Sequence, residues 1–291
     1  MTYGITGNPR KDALWAPLDR LVRRLAADGP AFALVPDLAD GLAQRGLATG
    51  PVSDTLGGAD VLLSFGGDGT LLRTAHRFPG VPILGVNVGR LGFLTKVETG
   101  EIDDALAAVE AGRTGVEHRT TLAVGVDGDA TEPGPALGDV PGWALNDVVV
   151  DKSGTTSMIQ VEATVGDAYL NTYWSDGLVI ATPTGSTAYA LSVGGPILTP
   201  GTDTIVVAPI APHTLTARPI VLPCDAELTL RVETRGHPFA FACDGVSVLL
   251  DGGATIRVRR GEQTVPLVTL PDRDYFETIR SKLSWGRGGV F

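Results

Sequence analysis

Short apolar runs alternate with helical stripes of apolar residues along the first 115 positions, and that rhythm stops near Arg119. Residues 3–6 read as a buried strand. Leu14, Leu18, Leu21, Val22 and Leu25 then recur at helical spacing, closed by Gly29-Pro30. Residues 31–35, 60–65 and 81–86 read as further strands, and residues 70–78 and 101–112 as helices, the last with acids in its first turn where the helix dipole favours them. Such alternation predicts an α/β N-terminal domain with an open, mostly parallel sheet covered by helices on both faces.

After Arg119 strand-like segments follow one another with turns between them: 121–126, 143–151, 158–165, 177–181, 204–208, 227–233, 238–243, 254–259 and 265–270. They predict a β-rich C-terminal domain. Residues 127–142 form a Gly/Pro/Asp loop, and residues 274–283 read as a final helix with Tyr275, Phe276, Ile279 and Leu283 on one face. The expected organisation is an α/β domain over 1–118, a β-rich domain over 119–271, and a C-terminal helix over 272–291 that packs back on the N-terminal domain.

Composition narrows the function. With 33 acidic against 23 basic residues the formal charge is −10, which disfavours nucleic acid or an anionic membrane as the main partner, since both require basic patches. Only four basic residues are lysines: Lys11, Lys96, Lys152 and Lys282. Cys224 and Cys243 are too few for a zinc site of their own or a disulfide framework. The N-terminus has no basic segment leading into an apolar one, so no secretory leader is expected. The uncharged run 177–202 has membrane length, but 15 of its 26 residues are Gly, Pro, Ser or Thr, so it is not a lipid-facing helix. A soluble, cytoplasmic protein is expected.

No lysine follows a glycine, which excludes the P-loop, and no G-x-G-x-x-G occurs. The four histidines do not fall at metal-ligand spacing, so no protein-held metal is expected. Nucleotide binding would need another device. Ser64-Phe65-Gly66-Gly67-Asp68-Gly69-Thr70, between a buried strand and a helix, offers one. Its glycines let the backbone approach a ligand, and the helix start favours phosphate. Asp68 would repel phosphate, yet a phosphotransferase needs such a group to orient or deprotonate the attacking alcohol. Alternatively, Asp68 is simply the N-cap of that helix.

Three further segments carry polar groups in suggestive places. Asn87-Val88-Gly89-Arg90-Leu91-Gly92-Phe93 follows the next strand, so it should face the same crevice as the Asp68 loop. In Leu145-Asn146-Asp147-Val148-Val149 a polar pair interrupts an apolar strand. An amide beside a carboxylate suits a ribose diol, or the pair merely ends the strand. In Asp176-Gly177-Leu178-Val179-Ile180-Ala181-Thr182-Pro183-Thr184-Gly185-Ser186-Thr187-Ala188-Tyr189 a strand enters a hydroxyl-rich loop and a helix start. That loop suits a purine edge or a phosphate, with Tyr189 as a stacking face.

Taken in order, these segments resemble the NAD kinases, which phosphorylate the 2′-hydroxyl of the adenosine ribose of NAD. The resemblance extends through Ala211-Pro212-His213, Cys243-Asp244-Gly245 and the segment FETIRSKLSW at 276–285. It implies that ATP phosphates contact Gly66, Gly67, Gly69 and Thr70, with Asp68 as the general base. It further implies that NAD is held by Gly69, Leu72, Arg73 and Phe93, by Asn146, Asp147 and Asp176, and by Thr184, Thr187, Ala188, Tyr189, Ser192 and Asp244. A divalent cation, normally magnesium with ATP, and a homodimer or homotetramer are implied as well. In this chain Asp147 replaces the family's usual glutamate, Ser175 a frequent glycine, and Val246 a frequent glutamine. The second half, with Trp174 and Ala190-Leu191-Ser192, is more similar to archaeal members. Two other readings compete: a GGDG-type kinase of a lipid or sugar hydroxyl, and a non-catalytic nucleotide-binding regulator.

Overall fold

In the computed structural model the chain divides into two units, Met1–His118 with Val265–Phe291, and Arg119–Thr264. The structure describes residues 1–89, 92–128, 136–271 and 274–284. Arg90 and Leu91 of the second motif, the middle of the 127–142 loop, and Trp285 lie outside the described residues.

The first unit is built from β1 (Thr2–Gly7), α1 (Trp15–Asp28), β2 (Ala31–Leu34), α2 (Pro36–Gln44), β3 (Val61–Gly66), α3 (Asp68–Arg77), β4 (Ile83–Asn87), β5 (Val97–Glu98) and α4 (Ile102–Glu110). Its central strands run parallel in the order β4-β3-β1-β2, with Tyr3 opposite Val61 and Leu62 opposite Ile83. Strand β3 is buried along its whole length, which is why Leu62, Leu63 and Phe65 are apolar on both faces, and the intervening Ser64 is bonded to Thr74 inside the fold. Because β2 flanks β1 on one side and β3 on the other, the chain changes winding direction between β1 and β3. Ligands of open α/β sheets bind at the carboxyl ends of strands beside such a switch point. The loops leaving β1 and β3 are therefore where chemistry is expected in this unit.

The second unit holds most of β6 (Gly115–Asp127), β7 (Trp143–Ala144), β8 (Asp147–Lys152), β9 (Ile159–Val165), β10 (Ala168–Ser175), β11 (Gly177–Ala181), α5 (Tyr189–Ser192), β12 (Thr204–Ile210), β13 (Ile220–Pro223), β14 (Leu228–Glu233), β15 (Phe239–Cys243), β16 (Val246–Leu250) and most of β17 (Thr255–Thr269). One antiparallel sheet has the order β13-β12-β11-β8-β15-β16. A second pairs β10, β9, β14 and β17. Val148, Val150, Leu178, Ile180, Phe239 and Phe241 from the first sheet share a core with Val161, Leu230 and Ile256 from the other. Cys224 and Cys243 are buried free thiols in this unit.

Three of the expected elements take a different form, and α2, β5, β10, β13 and β16 lie where the pattern predicts no element. The segments 254–259 and 265–270 belong to one long strand, β17, whose polar middle, Arg259 to Gln263, is solvent-facing rather than a turn. The 143–151 segment is two strands with Leu145-Asn146 between them. The final helix, α6 (Tyr275–Leu283), is capped by the Asp274 carboxylate, which accepts from the Phe276 amide. Of its expected apolar face only Ile279 is buried, with Thr278 beside it, while Phe276 and Leu283 are exposed. The helix is grouped with the first unit, where Lys282 Nζ lies 5.7 Å from the centre of the Phe93 ring.

Candidate active site

The residues singled out in the sequence fall into two clusters, one in each unit. In the first, β3 ends at Gly66, and Gly67 is the extended N-cap of α3, which begins at Asp68. Asp68 is therefore not the N-cap, and its side chain does not cap the helix. Its Oδ2 accepts from the Phe93 amide at 2.8 Å. Its Oδ1 accepts from the amides of Leu94 and Thr95 at 3.0 and 3.1 Å and from the Thr95 hydroxyl at 3.3 Å. The carboxylate thus ties the glycine-rich turn to the segment after β4, so the two motifs expected to share a crevice are bonded to each other. Gly92 is required there, because a Cβ would run into the Asp68 carboxylate.

A carboxylate offers about four acceptor positions. Oδ1 is saturated by three donors, whereas Oδ2 carries one and can take another. The amides of Asp68 and Gly69, at the start of α3, have no intrahelical acceptor and face the positive end of the helix dipole. Thr70 is buried and its hydroxyl accepts from Arg73 at 3.3 Å. Gly69 and Arg73 are exposed, Leu72 is buried, and Phe93 is half-buried.

The second cluster is organised by Asp244, which adopts a left-handed conformation with φ 47° just after β15. Its carboxylate accepts from the amides of Leu145, Asn146 and Asp147 at 2.7, 2.7 and 3.2 Å. Its own amide donates to the Asp147 carbonyl at 3.0 Å. This explains why the strand breaks at Leu145-Asn146: the amides that would have continued the ladder are bound by a side chain. Thr182 holds the same segment from the other side, its hydroxyl donating to the Leu145 carbonyl at 2.6 Å and its amide to the Asn146 carbonyl at 2.9 Å. Gly185 packs so closely that a Cβ would strike that Asn146 carbonyl.

The loop between β11 and α5 is thereby fixed beside Asn146 and Asp147. Thr184 is buried and its hydroxyl lies 3.4 Å from Arg119 Nη1, a buried arginine that no sequence motif indicated. The Thr187 hydroxyl donates to the Thr184 carbonyl, Ala188 is half-buried, and Tyr189 and Ser192 are exposed. Asp176 pairs with Lys152 at 2.7 Å, and the preceding Ser175 spans it by donating to the Gly177 carbonyl at 2.8 Å. Burial, and then the charges of Asp151, Asp176 and Asp147, push the Tyr189 phenol up. The Asn146 Oδ1 is buried and accepts no hydrogen bond from the described residues. A donor from a ligand would relieve that cost.

Asp147 is 7% exposed, and burial, reinforced by the charge of Asp244, pushes its carboxyl up to about 7 from the ordinary 3.8. The native state therefore holds this proton more tightly than the unfolded chain between about pH 4 and 7. Its contribution to stability is complete below pH 4 and is lost as the pH rises to about 7. Asp147→Asn is accordingly expected to be more stable than the wild type at pH 8, with the gain shrinking as the pH falls towards 4. Urea unfolding at both pH values tests this, and an equal effect at the two would refute the buried, charge-opposed carboxyl.

Comparison with known proteins places these clusters in context. The family model described as the ATP-NAD kinase N-terminal domain matches residues 53–114, and that described as the ATP-NAD kinase C-terminal domain matches residues 145–270. The NAD kinase of Symbiobacterium thermophilum is 39% identical over 285 residues, covering 97% of this chain and 98% of that protein. The NAD kinase of Flavobacterium johnsoniae is 43% identical over 229 residues, covering 78% of this chain and 76% of that protein. Among solved structures, yeast NADH kinase complexed with NADH superposes with a TM-score of 0.87 at 22% identity, covering 99% of this chain and 88% of that one. An NAD kinase from Archaeoglobus fulgidus in complex with ATP gives 0.75 at 24% identity, covering 98% and 99%. At these identities the two structures establish the shared fold.

Proposed function

The chain belongs to the NAD kinase family, and on that premise we propose that it transfers the γ-phosphoryl group of ATP to the 2′-hydroxyl of the adenosine ribose of NAD, giving NADP and ADP. The observation that carries the reading is the placement of Asp68. Its carboxylate, an acceptor for a hydroxyl proton, sits at the start of α3 beside backbone amides that can donate to phosphate.

In this reading the first unit handles the phosphoryl donor. The glycines at 66, 67 and 69 let the triphosphate approach, and the amides of the first turn of α3 hold it. Asp68 Oδ2, with its remaining acceptor position, receives the hydrogen bond of the 2′-hydroxyl and then its proton as the oxygen–phosphorus bond forms and the bond to ADP breaks. The bonds from residues 93–95 fix the carboxylate in place, so it need not reorganise during the reaction.

The second unit holds NAD. Asn146 and Asp147 offer an amide and a carboxyl to a ribose diol or to the nicotinamide end, and the unpartnered Asn146 Oδ1 supports an acceptor role there. Tyr189 provides a stacking face, and Asp176, Thr184, Thr187, Ala188, Ser192 and Asp244 complete that pocket. Aspartate at 147 reaches about 1.5 Å less far than the usual glutamate, a gap that an ordered water bridges at modest cost.

Among the described residues there is no group of three or more metal-ligating side chains. A divalent cation would arrive on ATP, because magnesium is commonly bound through substrate phosphates, waters and one or two carboxylates. Bound there, it would neutralise the charge of the transferred group. We place the enzyme in the cytoplasm as a homodimer or homotetramer. No described helix is long and apolar enough to cross a membrane. Tyr169 and Trp174, exposed on the edge strand β10, support association between copies.

The deciding assay supplies ATP, with and without magnesium, to a panel of NAD, NADH, a diacylglycerol and a sugar alcohol. NADP from NAD is the expected product, and turnover of only the lipid or the sugar would overturn the reading. A second test concerns the acceptor pocket. Above pH 7, where the Asp147 carboxyl is ionised, losing this charged acceptor from a bound hydroxyl costs about 1.5–3 kcal/mol. Asp147→Ala is therefore expected to raise the apparent KM for NAD about ten-fold or more and leave that for ATP unchanged. Asp147→Glu should retain or improve NAD affinity. Wild-type NAD kinetics in Asp147→Ala would reduce this position to the polar end of a strand.

A further inference from the structure

The glycine-rich turn carries no lysine of its own. The fold brings a lysine to it from elsewhere. Lys11 lies in the loop that leaves β1, beside the β1/β3 switch point. That loop is anchored at both ends. The Asn8 amide donates to the Phe65 carbonyl at 3.0 Å, tying the loop to the end of β3. The Arg10 amide donates to Asn8 Oδ1 at 3.1 Å, and the Lys11 amide to the Asn8 carbonyl at 3.1 Å.

From this turn the Lys11 side chain reaches across the strand ends, and Nζ donates to the Val88 carbonyl at 3.1 Å. A Cβ on Gly67 would stand 3.6 Å from Nζ, and one on Gly89 would stand 3.8 Å away. The ammonium is thus suspended between the two glycine-bearing loops, over the residue that caps α3. It has three protons to donate and spends one on Val88. Among the described residues no carboxylate pairs with it, although the chain is strongly acidic. A neighbouring cleft of about 560 Å³, which Lys11 itself does not line, has Arg10, Arg73 and Arg77 together with Asp37 in its wall. Arg10 and Arg73 add positive charge near the first turns of α3, where helix geometry favours an anion.

We infer that Lys11 is a phosphate-binding residue, donating from Nζ to a phosphate oxygen of ATP lying over Gly67 and the first turn of α3. The inference rests on the reading of this unit as the ATP site. It assigns Lys11 the charge that a P-loop lysine supplies elsewhere, delivered from a different strand. Lys11 acts on binding and positioning of the triphosphate and takes no part in proton transfer.

Two substitutions separate charge from tethering. Lys11→Gln keeps a donor group one bond shorter and carries no charge, and Lys11→Arg keeps the charge. Magnesium-ATP binding to the full-length protein is measured by calorimetry without NAD, alongside steady-state kinetics and thermal melting. Lys11→Gln is expected to weaken ATP binding and to raise the KM for ATP about 10- to 100-fold, with the KM for NAD within about two-fold and an unchanged melting temperature. Lys11→Arg should lose far less. ATP binding within two-fold of wild type in Lys11→Gln would overturn the inference, as would equal losses in the two variants. If the wild type binds ATP and Lys11→Gln does not, but neither makes NADP, the kinase reading fails and the role of Lys11 stands. A wild type that makes NADP with a Lys11→Gln variant to match it removes Lys11 alone. A wild type that binds no ATP removes both.

Discussion

Asp68→Asn is expected to lower turnover by about 10²–10⁴-fold, the contribution of a positioned general base, with the KM for NAD nearly unchanged. The structure adds a second consequence. Both carboxylate oxygens accept from residues 93–95, and asparagine retains only one acceptor oxygen. Whichever way its amide turns, a donor then faces at least one backbone N–H. With the oxygen turned towards Leu94 and Thr95, the amide nitrogen opposes the Phe93 amide now bonded at 2.8 Å. A loss of about 1–3 kcal/mol of stability should accompany the kinetic defect. The two effects are separable, because turnover is measured per folded molecule at a temperature well below the melting point of the variant. A variant that melts early but turns over within ten-fold of wild type would make Asp68 a tie for the 93–95 loop and nothing more.

The sequence was most legible where one element's pattern sufficed to define it. The run of residues 61–65 followed by glycines marks a buried strand entering a turn, and β3 and α3 lie there. The short helix α2 carried too little signal: Leu38 and Leu42 are its only large apolar contacts, and Pro36-Asp37 resembles a turn as much as a first helical turn. Strand β10 is amphipathic at best, with Tyr169 and Trp174 exposed and Tyr173 buried, so it lacked a clear alternation. Residues whose role depends on a distant partner left less trace. A lone lysine in a polar loop has no motif. Lys11 gains meaning only when strand order sets the β1 loop beside Gly67 and Gly89. Nor could spacing reveal that Arg119 is buried against Thr184, or that Asp147 faces Asp244 across a break in the strand.

The other large effect is expected at Asp244. In Asp244→Ala three amides, at Leu145, Asn146 and Asp147, lose their common acceptor at once. Each N–H left without a partner costs about 1–3 kcal/mol, less where water reaches it. These amides are only partly buried, so a total on the order of 2–4 kcal/mol is expected in urea unfolding. Alanine must also adopt the left-handed backbone of Asp244, which any residue but glycine resists. Function should fall further than stability, because the segment released carries both Asn146 and Asp147. The kcat/KM for NAD is expected to drop at least 10²-fold, as two positioned contacts are lost together, while ATP binding by the first unit is retained. Asp244→Asn separates geometry from charge. It keeps one acceptor oxygen, yet removes the charge that helps push the Asp147 carboxyl up to about 7. That carboxyl should then titrate at lower pH, and any pH dependence of NAD binding that it governs should move to lower pH with it. A pH profile for NAD affinity that is the same in wild type and Asp244→Asn would separate Asp147 from NAD binding. An unchanged kcat/KM in Asp244→Ala would show that the strand break at Leu145-Asn146 does not serve the acceptor site.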